Sequence, residues 1–137
     1  MGALDLFPLP ADSEYGYAEH STFQRGVHEG LDIFAPLGTP VLAVFDGTAR
    51  GVLEEGKGGN VVYLEAPGPF GRRAFYAHLD SLEPPLAIET VEVDAGDVLG
   101  YVGNTGNAAG GPTHVHFEVH PGAGAAVNPY PRLTGVC

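Results

Sequence analysis

Apolar and polar positions change over short spans, and glycine or proline closes nearly every one. Val41 to Phe45 is a brief apolar run, and an Asp46-Gly47 turn leads into Gly47 to Leu53. Gly58 and Gly59 precede Asn60 to Glu65, and Pro67, Gly68, Pro69 and Gly71 separate that span from Arg73 to Leu79. Glu89 to Val93 and Asp97 to Val102 flank the turn Asp94-Ala95-Gly96, and Thr113 to Val119 is the last clear strand. Gly26 to Pro40, broken by Pro36 and Gly38, reads as loop, as does the glycine-rich stretch from Gly103 to Pro112. No span carries a sustained 3.6-residue period, so helix is expected to be scarce. Short strands between Gly-rich turns predict an all-β single domain. The expected architecture is an antiparallel β-sandwich or partly open barrel, with long Gly/Pro-rich loops framing a groove. Residues 1 to 24, with Phe7-Pro8-Leu9-Pro10 and an acidic loop, read as an extended lead-in to a functional domain at 25 to 137.

Composition narrows the function. A length of 137 residues fits one domain. Lys and Arg total 6 against 17 Asp and Glu, a net charge of −11. Nucleic acid and anionic membranes both need clustered cations, so neither is an expected partner. The one cysteine, Cys137, excludes an intrachain disulfide. No apolar stretch approaches the roughly 20 residues of a spanning helix. The first residues lack a basic region and a long apolar core, so no signal peptide is expected within this chain.

The six histidines are the chemical anomaly. On a strand, Thr113 to His120 places His114, His116, Glu118 and His120 on one face and Val115, Phe117 and Val119 on the other, the core face. Two imidazoles spaced i, i+2 lie roughly 6 to 7 Å apart at the backbone, close enough to serve one metal-centred site. In His28-Glu29-Gly30-Leu31-Asp32, two zinc-ligand types lie four apart around a glycine that permits a tight path. A catalytic zinc takes three protein ligands, which His28, Asp32 and one histidine of the later pair would supply. In Phe75 to Asp80, strand alternation assigns Tyr76, His78 and Asp80 to one face and Phe75, Ala77 and Leu79 to the other. His78 is then either a satisfied core residue or an acid–base group.

The order H-x-x-x-D, Y-x-H-L, H-x-H-F-E-V resembles the lysostaphin-type (LytM-like) zinc metallopeptidases, peptidoglycan endopeptidases. "GGNVVYLE", "GDVLGYVGNTGNAAGGPTHVHFEV" and "VNPYPRL" are similar to other stretches of that family, and the resemblance runs from about Phe7 to Leu133. It implies one Zn²⁺ per chain, held by His28, Asp32 and His116, with His78 and His114 as non-ligand catalytic histidines. The implied reaction is attack of a zinc-bound water on a peptide bond of a cell-wall cross-link. His114 is expected as base and His78 as oxyanion stabiliser, and Glu118 is a candidate partner for a histidine on its face. His120 has no role in the resemblance. The implied partner is a peptidoglycan peptide, the implied setting the cell envelope or exterior, and a monomer is expected. The alternative is a catalytically inactive relative that binds peptidoglycan or activates a hydrolase. A biotin- or lipoyl-carrier module is disfavoured, because the only lysine, Lys57, sits between glycines without the methionine neighbours of a biotin site.

Overall fold

A computed structural model describes residues 8–10, 30–66 and 72–121. These form β1 (Leu31–Phe34), β2 (Pro40–Leu42), β3 (Gly47–Glu54), β4 (Gly59–Ala66), β5 (Arg72–Leu82), β6 (Val91–Val93), β7 (Val98–Val102) and β8 (His114–Pro121). Every pairing is antiparallel, in the order β1-β8-β5-β4-β3-β6, with β7 bridging β2 and β5. The sheet does not close on itself, and the only helical pieces among the described residues are the 3₁₀ turns Pro84–Ala87 and Gly106–Ala108. The all-β, antiparallel expectation stands.

The core lies on one face of the sheet. Val115, Phe117 and Val119 of β8 are fully buried, as the alternation of that strand requires. They join Leu31 and Ile33 of β1, Val62 and Leu64 of β4 and Tyr76 of β5 in one cluster. Leu9, Val44, Phe45 and Leu99 belong to the same cluster. Leu9 is held by its neighbour Pro8, whose carbonyl accepts the Leu42 N–H at 2.7 Å.

Two expectations change between residues 26 and 45. Gly26 to Pro40 is not all loop, because Leu31–Phe34 is a strand that buries Leu31 and Ile33 and turns Asp32 and Phe34 outward. Its four-residue alternation is masked in sequence by the breakers Pro36 and Gly38. The apolar run Val41 to Phe45 is a strand only to Leu42. Ala43, Val44 and Phe45 are buried without joining a strand, so burial and not pairing explains their hydrophobicity.

β5 is the organising strand. Its first half pairs with β8 as far as Ala77, and its second half pairs with β7 from Leu79 onward. The handover falls at His78, and register breaks there: Tyr76 pairs Val62 while Leu79 pairs Asn60, so Ala77 and His78 together oppose Val61. This is a bulge, with one extra residue on β5. It overturns the simple alternation expected for Phe75 to Asp80. Tyr76 and Leu79 face the core cluster, while Phe75, Ala77 and His78 line the opposite, functional face.

Tyr76 is fully buried, and its hydroxyl oxygen accepts the Val44 N–H at 3.2 Å. Burial of the phenol pushes its pKa up, so it stays neutral. Tyr76→Phe strands that amide in an apolar core, and a loss of about 1–3 kcal/mol is expected. A lower urea midpoint at unchanged slope is the outcome to look for. An unchanged midpoint would show that the hydrogen bond contributes nothing.

Candidate metal centre

The site is built across β1, β8 and β5. Asp32 on β1 and Ala77 on β5 are the cross-strand partners of His116 on β8. Directly opposed residues share a face, so the Asp32 carboxylate and the His116 ring must meet. Asp32 Oδ1 lies 2.8 Å from His116 Nδ1. Asp32 Oδ2 is 3.8 Å from His114 Nε2. On the other flank, the small Ala77 leaves room for the ring. The His78 ring centre is 5.0 Å from that of His114 and 6.2 Å from that of His116. All of these side chains line one cavity of about 480 Å³, together with Glu54, Lys57 and Phe75.

Gly30, inside the H-E-G-L-D motif, is required by contact. A Cβ there would lie 2.6 Å from the Phe117 carbonyl oxygen and 2.8 Å from His116 Cε1. The backbone before Asp32 therefore packs flat on β8.

Hydrogen bonds fix the tautomers. His78 Nδ1 lies 2.8 Å from the Thr105 carbonyl oxygen, and His114 Nδ1 lies 3.1 Å from the Pro112 carbonyl oxygen. A carbonyl only accepts, so each Nδ1 carries the proton. In the neutral ring each Nε2 then presents its lone pair. Burial holds the His78 pKa below its ordinary value, and His114 and His116 add to this against the opposing pull of the Thr105 carbonyl and Asp32. His116 differs. Burial would lower its pKa, but hydrogen bonds and charge from Asp32 and Glu118 outweigh that and raise it to about 9. Glu118 goes the other way: burial would raise its pKa, but hydrogen bonds to His116 and His120 bring it below the ordinary value.

His78 has a backbone φ of 66°, the one positive φ on a non-glycine residue among those described. Such a conformation costs about 1–3 kcal/mol and persists only when surrounded by restraints. Here the restraints are visible. The His78 N–H donates to the Gly58 carbonyl at 2.7 Å. Thr105 Oγ1 donates to the Leu79 carbonyl at 2.7 Å and accepts the Asn60 N–H at 3.1 Å. Asn60 Nδ2 donates to the carbonyls of Leu79 and Asp80, each at 3.1 Å. Thr105 thus clasps the Gly-rich loop to β4 and β5 while its carbonyl orients the His78 ring. Neither Thr105 nor Asn60 carries a chemical signal of its own in the sequence, although they lie in "GDVLGYVGNTGNAAGGPTHVHFEV" and "GGNVVYLE".

Asp32 and His116 suit a metal: an anionic oxygen and an imidazole nitrogen directed at one another, with the far ring nitrogen backed by a carboxylate. Among the described residues no three His, Cys, Asp or Glu side chains form a metal-holding group. His28, the remaining expected ligand, lies outside the described residues, as do Glu29 and Cys137.

The clasp can be tested through its glycines. Gly59 has φ +69°, and a Cβ there would collide with Thr105 Oγ1 and come 2.5 Å from the Gly106 nitrogen. Gly56 has φ +73° but nothing within 4 Å of such a Cβ. Gly56→Ala should cost about 1–2 kcal/mol from backbone strain alone. Gly59→Ala should cost at least about 1 kcal/mol more, because a close backbone approach cannot relax cheaply. It should also shift the His78 ring resonances in an imidazole ¹⁵N spectrum. Equal losses in the two variants would show that the Thr105 contact is not tight.

Residues 26–129 match the model of peptidase family M23. A DD-carboxypeptidase/endopeptidase, Mpg, of Neisseria meningitidis serogroup B is 35% identical over 132 residues, covering 93% of this chain. The chain spans only 29% of that relative's length. The catalytic domain of lysostaphin from Staphylococcus simulans superposes with a TM-score of 0.65 at 28% identity, covering 90% of this chain and 93% of that one. A zinc-containing peptidase from Vibrio cholerae superposes with a TM-score of 0.69 at 25% identity, covering 92% of this chain and 39% of that one. With most of its length matched and its sheet superposing on such domains, the chain belongs to peptidase family M23.

Proposed function

We propose that this chain is a zinc-dependent endopeptidase acting on peptide cross-links of bacterial peptidoglycan in the cell envelope. The observation that carries the reading is the Asp32–His116 donor pair at 2.8 Å with His78 and His114 in the same cavity. His28, Asp32 and His116 would hold the metal, one ion per chain. Zn²⁺ when bound supplies a Lewis acid and brings the pKa of a coordinated water towards about 7. The relatives support a zinc endopeptidase, since Mpg is named as a DD-carboxypeptidase/endopeptidase and the Vibrio protein as a zinc-containing peptidase.

The chain's own groups supply the proton handling. His114, with its Nδ1–H committed to Pro112, offers the Nε2 lone pair on the Asp32 side and takes the proton of the attacking water. His78 faces the developing oxyanion. To donate there it must gain a proton on Nε2, which burial opposes until negative charge builds up beside it. Lys57 on the cavity wall adds the one lysine cation of the chain to the site. With a net charge of −11 the domain gains nothing from the charge of anionic wall polymers, so recognition rests on the groove.

Three variants test this. His116→Ala should abolish both zinc uptake and hydrolysis. His114→Ala and His78→Ala should each retain zinc and lose about 10²–10⁴-fold in rate. Incubation with purified peptidoglycan and mass analysis of released fragments reads the bond cut. A folded parent protein that binds no zinc, or His114→Ala that cleaves at the parent rate, would overturn the reading.

A further inference from the structure

Resting on that metallopeptidase reading, we infer that Glu118 and His120 form a positioning relay behind His116. Glu118 fixes His116 as an Nδ1 ligand, and His120 pins Glu118 in place.

β8 alternation puts His116, Glu118 and His120 on one face in succession. Glu118 Oε2 lies 2.8 Å from His116 Nε2, and Glu118 Oε1 lies 2.9 Å from His120 Nε2. An ionised carboxylate only accepts, so both imidazoles donate their Nε2–H to it. A neutral imidazole has one N–H and one lone pair. In the metal-free chain His116 donates from both nitrogens, Nε2–H to Glu118 and Nδ1–H to Asp32; with Glu118 holding the Nε2–H, Nδ1 is the nitrogen that would exchange its proton for a metal beside Asp32. Without Glu118 the ring could present either nitrogen and turn about its Cβ–Cγ bond.

The surroundings make this a built arrangement. The Glu118 side chain is 19% exposed. A Cβ on Gly30 would lie 2.9 Å from Glu118 Cγ, so the chain entering β1 closes over the carboxylate. Phe75, the cross-strand partner of Glu118, sets its ring edge-on to His116 with centres 6.2 Å apart. Such shielding strengthens the hydrogen bonds it covers. His120 explains why Glu118 does not swing towards Asp32 to become a ligand itself: its second oxygen is already taken. His120 stands opposite Arg73 in the sheet, and the relay therefore ends at the neighbouring cavity of about 250 Å³ that Arg73 and His120 both line.

The experiment measures Zn²⁺ affinity of the full chain by competition with a chromogenic chelator, and the visible spectrum of the Co²⁺-loaded chain. Melting of the metal-free proteins monitors the fold. Glu118→Ala should weaken zinc binding about 10–100-fold and alter the cobalt bands. Glu118→Gln, which keeps an acceptor oxygen, should recover a substantial part of that loss. His120→Ala should cost less than Glu118→Ala and in the same direction. A merely structural role would lower melting without this rescue order. Glu118→Ala binding zinc within about threefold of the parent overturns the relay, as does Glu118→Gln being no better than Ala. Where Glu118→Ala does not fold, Glu118→Leu, which fills the same space without an acceptor oxygen, takes its place in each comparison. A parent that binds no zinc refutes the metallopeptidase reading itself, and is told apart because it fails before any variant is compared.

Discussion

The opposition of Asp32 on β1 and His116 on β8 governs the rest of the site. Cross-strand partners in an antiparallel pair share a face, so a carboxylate and an imidazole placed there must meet on the side away from the core. The core side of the same strands is filled by Leu31, Ile33, Val115 and Phe117, all fully buried. A slip of one residue between β1 and β8 would turn Asp32 inward and Leu31 outward, moving an anion from the polar cavity into the apolar core. Hydrophobic burial therefore enforces the register, and the register enforces the polar pair. On the far side of β8, Ala77 leaves the space that the His116 ring and the cavity occupy.

β5 contributes the other half by breaking its own pattern. It serves β8 with one half and β7 with the other, and the gap between those two neighbours opens at His78. The extra residue at the bulge turns His78 onto the functional face just after Tyr76 has been buried. The positive φ is a local cost, offset by the Gly58 and Thr105 contacts that surround it. The Gly-rich loop is thus a restraint on His78 as well as a boundary of the cleft. Its glycines allow the backbones of residues 58–59 and 105–106 to approach more closely than any side chain would permit.

Legibility varied with the range of the interactions. β8 was readable because its alternation is unbroken from His114 to His120, and the three core-facing apolar residues landed where alternation puts them. β1 was hidden because its four residues sit among breakers and its partner lies more than eighty positions away. Alternation alone does not give the faces of β5, because a bulge leaves no local signal when the bulged residue is a histidine and not a glycine. Thr105 carried no chemical hint, since its part depends on contacts with Asn60, Leu79 and His78, all distant in the chain.

Composition and period alone establish an antiparallel all-β domain, an acidic surface ill suited to nucleic acid, and a set of histidines and aspartates of the zinc-ligand type. Those properties are local or summed along the chain, so they survive without a fold. Which carboxylate meets which imidazole, which ring nitrogen is left with its lone pair, and that Glu118 stands behind His116 and His120 behind Glu118 are matters of strand pairing and side-chain packing. They exist only once β1, β8 and β5 lie side by side, because hydrogen bonds act over about 3 Å and residues separated by dozens of positions come that close only in the folded sheet.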